Sequence, residues 1–296
     1  MIEEDNINTI IEAIRSEKDD FVRLYALNLL KDHSQRNSTV PFLLELINDK
    51  STKICAKAVE VLGKIKTDKA IEAIKKALSS ESWEVRKTAI RALGEQDNIQ
   101  ITELIVPALF DSNWEVRNEA AIVLDYYKWK PSNLEEKTAY LISKEKWEKI
   151  INEEKVSVPI ILSFLNDSEP EIRRNIILTV GERKITDPKA VEILLKLLME
   201  DENYDIREKA AEALAKIGTE KAFKALQVAG KSEVWFARKC VASALRFYKK
   251  DKNMLKLLKT LLHDENLYVR KAAKETTIAL LEKHNNETSH SIRYNN

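Results

Sequence analysis

Two cysteines, four histidines, five glycines and six prolines in 296 residues leave little from which to build a metal or redox centre. Cys55 and Cys240 stand far apart with no partner at CxxC spacing, which argues against a zinc ribbon or a disulfide framework and fits a reducing compartment. The glycines never cluster, so no GxGxxG or GxxxxGK phosphate loop exists. The histidines read His33-Ser34, His263-Asp264, His284-Asn285 and His290-Ser291, with no His-Glu pair among them. No run approaches the roughly 18 apolar residues of a membrane span. The start Met1-Ile2-Glu3-Glu4-Asp5 is acidic where a signal peptide is basic, so a cytoplasmic protein is expected. Net charge is also lacking: 49 basic and 48 acidic residues leave +1, and any attraction for nucleic acid or a membrane must be local.

What the chain has in abundance is Ala, Leu, Ile, Lys and Glu, the composition of long helices, arranged as a repeat. The phrase Asp111-Ser112-Asn113-Trp114-Glu115-Val116-Arg117, followed by Ala120 and Leu124, returns with small edits along the chain. Its hydrophobic-Arg step falls at Val22-Arg23, Ile54-Cys55, Val85-Arg86, Val116-Arg117, Ile172-Arg173, Ile206-Arg207, Ala237-Arg238 and Val269-Arg270. Successive starts lie 32, 31, 31, 56, 34, 31 and 32 residues apart, a period that signals a solenoid. Within one repeat, Ala70, Ile71, Ile74, Ala77 and Leu78 mark an amphipathic helix A, and Val85, Ala89, Ile90 and Leu93 mark a helix B. Between them lies the cap-rich turn Ser79-Ser80-Glu81-Ser82. Gly94, and likewise Gly63, Gly181 and Gly218, stand where a left-handed C-cap is expected.

One pair cannot bury its apolar stripe alone, whereas stacked pairs share a continuous core. The expected fold is therefore all-α, an α-solenoid: a right-handed superhelix of stacked antiparallel helix pairs. Residues 1–124 form a first block of about four pairs, 125–157 an atypical helical insert, and 158–283 a second block. The polar stretch 284–296 is expected to be a disordered tail. Ala26, Ala58, Ala89, Ala120, Ala210 and Ala273 share one position of helix B, where helices approach most closely.

The pattern D-x-x-x-x-V-R-x-x-A-x-x-A-L-G is read in Asp111 to Leu124, in Asp201 to Leu214 and, with Ser80 for Asp, in Ser80 to Gly94. It resembles the HEAT-like repeats of the phycobilisome-lyase group, an armadillo-type fold. The resemblance covers about 260 residues. In the proteins it resembles, the arginine and the acid five positions before the step form a ladder between neighbouring units. Carried onto this chain, the ladder comprises Asp49, Arg86, Asp111, Arg117, Asp167, Arg173, Asp201, Arg207, Arg238, Asp264 and Arg270. Cys55 interrupts it, and looser packing is expected there. A ladder is favoured over a phosphate-gripping groove because a buried guanidinium must be paired. Trp83, Trp114, Tyr204 and Trp235, each two residues before the step, are read as packing at the inter-helix turn.

Such repeats serve scaffolds, chromophore lyases, hydroxylases and nucleic-acid enzymes alike. No catalytic residue, cofactor or metal site is assigned. The reading favoured is a non-catalytic scaffold or adaptor that binds another protein along the concave B-helix surface. Candidate contacts are Lys87, Arg91, Asn118, Arg174 and Lys239 on that surface, and Tyr126, Tyr127 and Trp129 beside the insert. Arg246, Lys249 and Lys250 lie in a basic stretch, 238–259, where nucleic-acid binding is weighed but not favoured. The alternative is an enzyme or accessory subunit that handles a bilin as the phycobilin lyases do. A deoxyhypusine-hydroxylase-like oxidoreductase is further off, because the His-Glu metal pairs that the resemblance would require are missing.

Overall fold

A computed structural model describes residues 4–32, 37–96 and 100–293. Among them every regular element is helical. The chain divides into two compact units, residues 1–146 and 147–296. In the first unit α1 (Glu4–Ser16) pairs with α2 (Asp20–Asp32), α3 (Val40–Leu46) with α4 (Thr52–Gly63), and α5 (Asp68–Ala77) with α6 (Trp83–Gly94). Next come α7 (Ile101–Ile105), continued by a 3-10 turn over Val106–Phe110, then α8 (Trp114–Tyr126) and α9 (Leu134–Ser143). Pro107 explains the change of winding, since it has no N–H for the i to i−4 bond.

The second unit opens with α10 (Trp147–Asn152) and α11 (Val158–Ser163), the latter ending in a 3-10 turn, and continues with α12 (Pro170–Glu182). Then α13 (Pro188–Glu200) pairs with α14 (Tyr204–Ile217), α15 (Glu220–Ala229) with α16 (Trp235–Ala244), and α17 (Lys252–Leu262) with α18 (Leu267–Arg293). Helix starts are fixed by side-chain caps: Ser82 Oγ accepts the Val85 N–H, Asn203 Oδ1 the Asp205 N–H, and Asp251 Oδ1 the Met254 N–H.

In each unit successive B helices pack side by side, α4 on α6 on α8 and α12 on α14 on α16 on α18, with A helices as the second layer. Ala58, Ala89, Ala120, Ala210 and Ala273 are fully buried in that seam. Three glycines expected as left-handed caps have a different cause. A Cβ on Gly63 would stand 2.8 Å from the Ala92 Cβ, one on Gly94 2.9 Å from Val123 Cγ1, and one on Gly181 3.0 Å from Ala213 Cα. These glycines are small because the next B helix leaves no room. Only Gly218 has the left-handed backbone, at φ +67°.

The division between the two units, at residues 146 and 147, falls inside the stretch 125–157. Helix α9 packs on α8 and on the 3-10 turn before it, as an A helix does, whereas α10 packs on α12, as a B helix does. The cap of α9 is Asn133: its Oδ1 accepts the Glu136 N–H at 2.8 Å, and Glu136 returns a carboxylate oxygen to the Ser132 N–H at 2.7 Å. At the other end α18 continues as far as Arg293, into the stretch where a disordered tail was expected; no proline or glycine lies there to stop it. Residues 294–296 lie outside the described residues.

Candidate functional site

The hydrophobic-Arg step lies in the first turn of each B helix, so its arginine emerges beside the A–B loop. Arg86 divides its donors. Nη1 reaches the carbonyls of Ser80 and Glu81 at 2.8 and 3.0 Å, while Nε and Nη2 each meet the Asp111 carboxylate at 2.7 Å. Asp111, ahead of the next B helix, also accepts the Asn113 N–H at 2.8 Å. Arg173 holds the Asp167 and Ser168 carbonyls and meets Asp201 at 3.1 and 3.2 Å. Arg238 holds the Ser232 and Glu233 carbonyls and meets Asp264 at 2.7 and 2.9 Å. Arg23 pairs with Asp49 in the same sense. These bidentate contacts tie one helix pair to the next and use most donors of each guanidinium. Hydrogen bonds from Arg23 and Arg238 hold the Asp49 and Asp264 carboxyls below the usual carboxylate range.

Where the series lapses, it does so without stranding a charge. Cys55 and Ser80 occupy both ends of one missing rung, and the Cys55 thiol is directed at the Asp49 carbonyl, 3.2 Å away. At the far end of the same helices, α4 and α6, Gly63 and Ala92 still make a close approach. Ser232 stands where Arg207 would find its acid. Arg207 instead donates Nε to the Asp201 carbonyl at 2.6 Å and lies 5.7 Å from the Tyr204 ring centre. Arg117 and Arg270 clamp the carbonyls of their own turns, and Asp167 accepts the Glu169 N–H. Burial pushes the Cys55 thiol up, and the Cys240 thiol up to about 12, so both stay protonated near neutral pH.

The outer surface of the B helices carries a second set of ion pairs, which involves most of the charged residues expected to await a partner. Lys87 pairs with Glu115, Arg91 with Glu119, Arg174 with Asp205, and Lys239 with Glu208, each on a neighbouring B helix. Lys64 with Glu95 and Lys216 with Glu182 continue the pattern. Asn118 is half-buried among them. In two of these pairs, Lys87–Glu115 and Arg174–Asp205, a cation two residues after the step reaches an acid one residue before the step of the next helix.

Two places depart from that lattice. In the first unit a recess of about 360 Å³ opens across α2, α4 and α6. In the second unit aromatic rings run along the mouths of the B helices: Tyr204 to Phe236 at 4.6 Å, Phe236 to Trp235 at 5.6 Å, and Trp235 to Tyr268 at 5.4 Å between centres. Tyr204, Trp235 and Tyr268 are 63%, 40% and 61% exposed, whereas Trp83 and Trp114 are half-buried. Turn packing thus describes Trp83 and Trp114 but only part of Tyr204 and Trp235. Sequence reasoning missed Tyr268 because it stands one residue before its step rather than two.

Beside the unit boundary Tyr126 is exposed, the Tyr127 hydroxyl donates to the Gly94 carbonyl at 3.0 Å, and Trp129 packs 5.9 Å from Tyr140. Burial, followed by its hydrogen bond to Asp125, raises the Tyr140 hydroxyl to about 12. In the basic stretch 238–259 two cations are engaged by the stack, Arg238 buried against Asp264 and Lys239 paired with Glu208, while Arg246, Lys249, Lys250, Lys252, Lys256 and Lys259 are exposed, with Lys249 reaching Asp251 at 3.9 Å. Among the described residues no three His, Cys, Asp or Glu side chains gather as a metal-holding group. No helix there is long and apolar enough to cross a membrane. His263 is exposed, with Nδ1 2.9 Å from the Lys259 carbonyl; His33 lies outside the described residues.

Repeated helix pairs, arginine-aspartate rungs between them and a mixed-sign outer lattice define an α-solenoid repeat protein. The model for HEAT repeats matches residues 7–80, 71–142, 158–246 and 194–278. The chain belongs to the HEAT repeat family. No curated protein matches it. Among solved structures it is similar to human deoxyhypusine hydroxylase (17% identity, 93% of this chain and 96% of that one, TM-score 0.38). It is also similar to the complex of CpcE and CpcF of phycocyanin lyase from Nostoc sp. (18%, 86% and 92%, TM-score 0.32). A third is Kap121p, a karyopherin (14%, 93% and 37%, TM-score 0.44).

Proposed function

We propose that this protein is a non-catalytic scaffold or adaptor that binds a protein partner along its B-helix surface. The observation that carries the reading is the alternation of sign on that surface. Lys87, Arg91, Arg174 and Lys239 are each interleaved with an acid of a neighbouring helix. A phosphate backbone asks for a continuous positive stripe. Alternating charges suit instead a specific protein surface that supplies the opposite sign at each point. The stacked helices beneath supply a rigid frame for such contacts.

The test is site-specific photocrosslinking in the native cell. A crosslinker at Asn118, on the B-helix surface, is expected to capture one stoichiometric protein, and one at Lys196, on the A helix α13, is not. Capture of nothing, or of nucleic acid, at Asn118 overturns the reading.

A further inference from the structure

We infer that the recess across α2, α4 and α6 is a carboxylate-binding site that takes an acidic segment of the partner polypeptide. The inference rests on the docking role given above to the B-helix surface, and it names the chemistry of the partner at one point on it.

The recess exists because the outer lattice fails twice in succession. Where later B helices carry Lys87, Asn118, Arg174, Glu208 or Lys239 two residues after the step, α2 has Leu24 and α4 has Ala56. The short side chains of Ala56 on α4 and Ala92 on α6 line it. The acid that should follow is also missing: where α8 has Glu115 and α14 has Asp205, α4 has Lys53, which is exposed and makes no ion pair among the described residues. Apolar side chains thus lie beside a cation at a position that α6, α8, α12 and α14 fill with an acid.

The remaining lining leaves positive charge in excess. Lys31, Lys53, Lys57, Lys64 and Arg91 line the recess against only Glu60 and Glu95. Glu60 is shared by Lys31 and Lys57, Glu95 is held by Lys64, and Arg91 reaches out to Glu119, which is not part of the lining. Burial alone would raise the Glu60 carboxyl, yet the two lysines outweigh it and hold it ionised, so its charge is already counted. Lys53 and Lys57, four residues apart on α4, are neighbours on one helix face and lie within a Debye length of about 8 Å in physiological salt.

Shape and surroundings select the ligand. Methylene stems of Asp and Glu can lie on Leu24, Ala56 and Ala92 while their carboxylates meet the lysines. A polynucleotide continuing over α8 would find Lys87 and Arg91 already paired with Glu115 and Glu119 and so no continuous positive stripe.

The test uses the intact protein and two fluorescent decapeptides, one of alternating Asp and Glu and one of Asn and Gln, read by anisotropy. The acidic peptide is expected to bind about tenfold or more tightly than its amide counterpart and to weaken as salt is raised. Lys53→Glu, on an exposed side chain, is expected to weaken it about tenfold with an unchanged thermal midpoint, while Lys196→Glu on α13 has no effect. Equal binding of the two peptides, or indifference to Lys53→Glu, overturns the inference. So does tight binding of tripolyphosphate without the peptide, which would make the recess a site for free anions. Because the Asn118 crosslink reads the docking surface without reference to the recess, a captured partner combined with failure here would leave the scaffold reading standing.

Discussion

The two units follow one pattern inside and differ outside. In the first, Trp83 and Trp114 are half-buried at the mouths of α6 and α8, and the distinctive surface is a cationic recess over Leu24, Ala56 and Ala92. In the second, Tyr204, Trp235 and Tyr268 are exposed, and the Arg174, Lys216 and Lys239 side chains find acids on neighbouring helices. Beneath both runs the same framework: Arg86–Asp111 in one and Arg173–Asp201 and Arg238–Asp264 in the other, with glycines at the closest contacts. Stacking therefore constrains one face of helix B and leaves the other free to vary. What distinguishes the units is written in residues that the stack does not need.

The strongest way to break that equivalence is to remove a rung. Arg86→Ala in the first unit and Arg238→Ala in the second are each expected to cost about 3–5 kcal/mol in urea unfolding, because a nearly buried carboxylate loses its partner. The natural Cys55 and Ser80 rung sharpens the point. Arg86→Cys with Asp111→Ser should be less damaging than Arg86→Cys alone, and equal losses would show that removing both ends compensates nothing. Next in size come the close contacts. Gly63→Ala and Gly181→Ala should each cost about 1–3 kcal/mol by overpacking against Ala92 and Ala213, so comparable losses in the two units are expected.

Acid should weaken both units through their rungs. Asp49 and Asp264 have depressed folded-state values, so their contribution is complete above the unfolded carboxylate value of about 3.9 and is lost as pH falls through the folded values. Unfolding midpoints that stay flat below about pH 4 would contradict this. Smaller still is the aromatic row: Tyr268→Ala should cost about 0.5–1.5 kcal/mol, the range of a single aromatic contact, whereas Trp83→Ala should cost more because its ring is half-buried. The smallest expected change is a gain. Lys184 holds φ 49° at the end of α12, where the Ile185 N–H returns to the Val180 carbonyl at 3.0 Å. Lys184→Gly should add about 0.5–1 kcal/mol by relieving a left-handed backbone, seen as a raised urea midpoint.

Much of the fold was legible because a repeat states its rule several times. The alternation of Ile71, Ile74 and Leu78 with Val85, Ala89 and Leu93 placed two helices, and both formed close to the expected limits as α5 and α6. The glycines misled because capping and close packing call for the same residue; only the position of Ala92, Val123 and Ala213 on the next helix separates the two causes. Stretch 125–157 was legible only in part for a related reason. Its helices α9 and α10 were visible, but which unit each joins depends on what it packs against. The candidate surface was legible in composition and not in state: Lys87, Arg91, Arg174 and Lys239 lie on the B helices as spacing requires, yet each is already paired with an acid from a neighbouring repeat.

By itself the sequence determined the helix pairs, their period, and the arginine that opens most B helices, because those depend on spacings within about 30 residues that the copies repeat. Only the tertiary structure decided which charges are spent and which remain free. Lys53 and Lys87 are both lysines near the starts of B helices, but one lines the recess beside Ala56 and the other meets Glu115 on the next helix. That difference arises from what the neighbouring helix presents across the seam, and a single strand of residues cannot carry it.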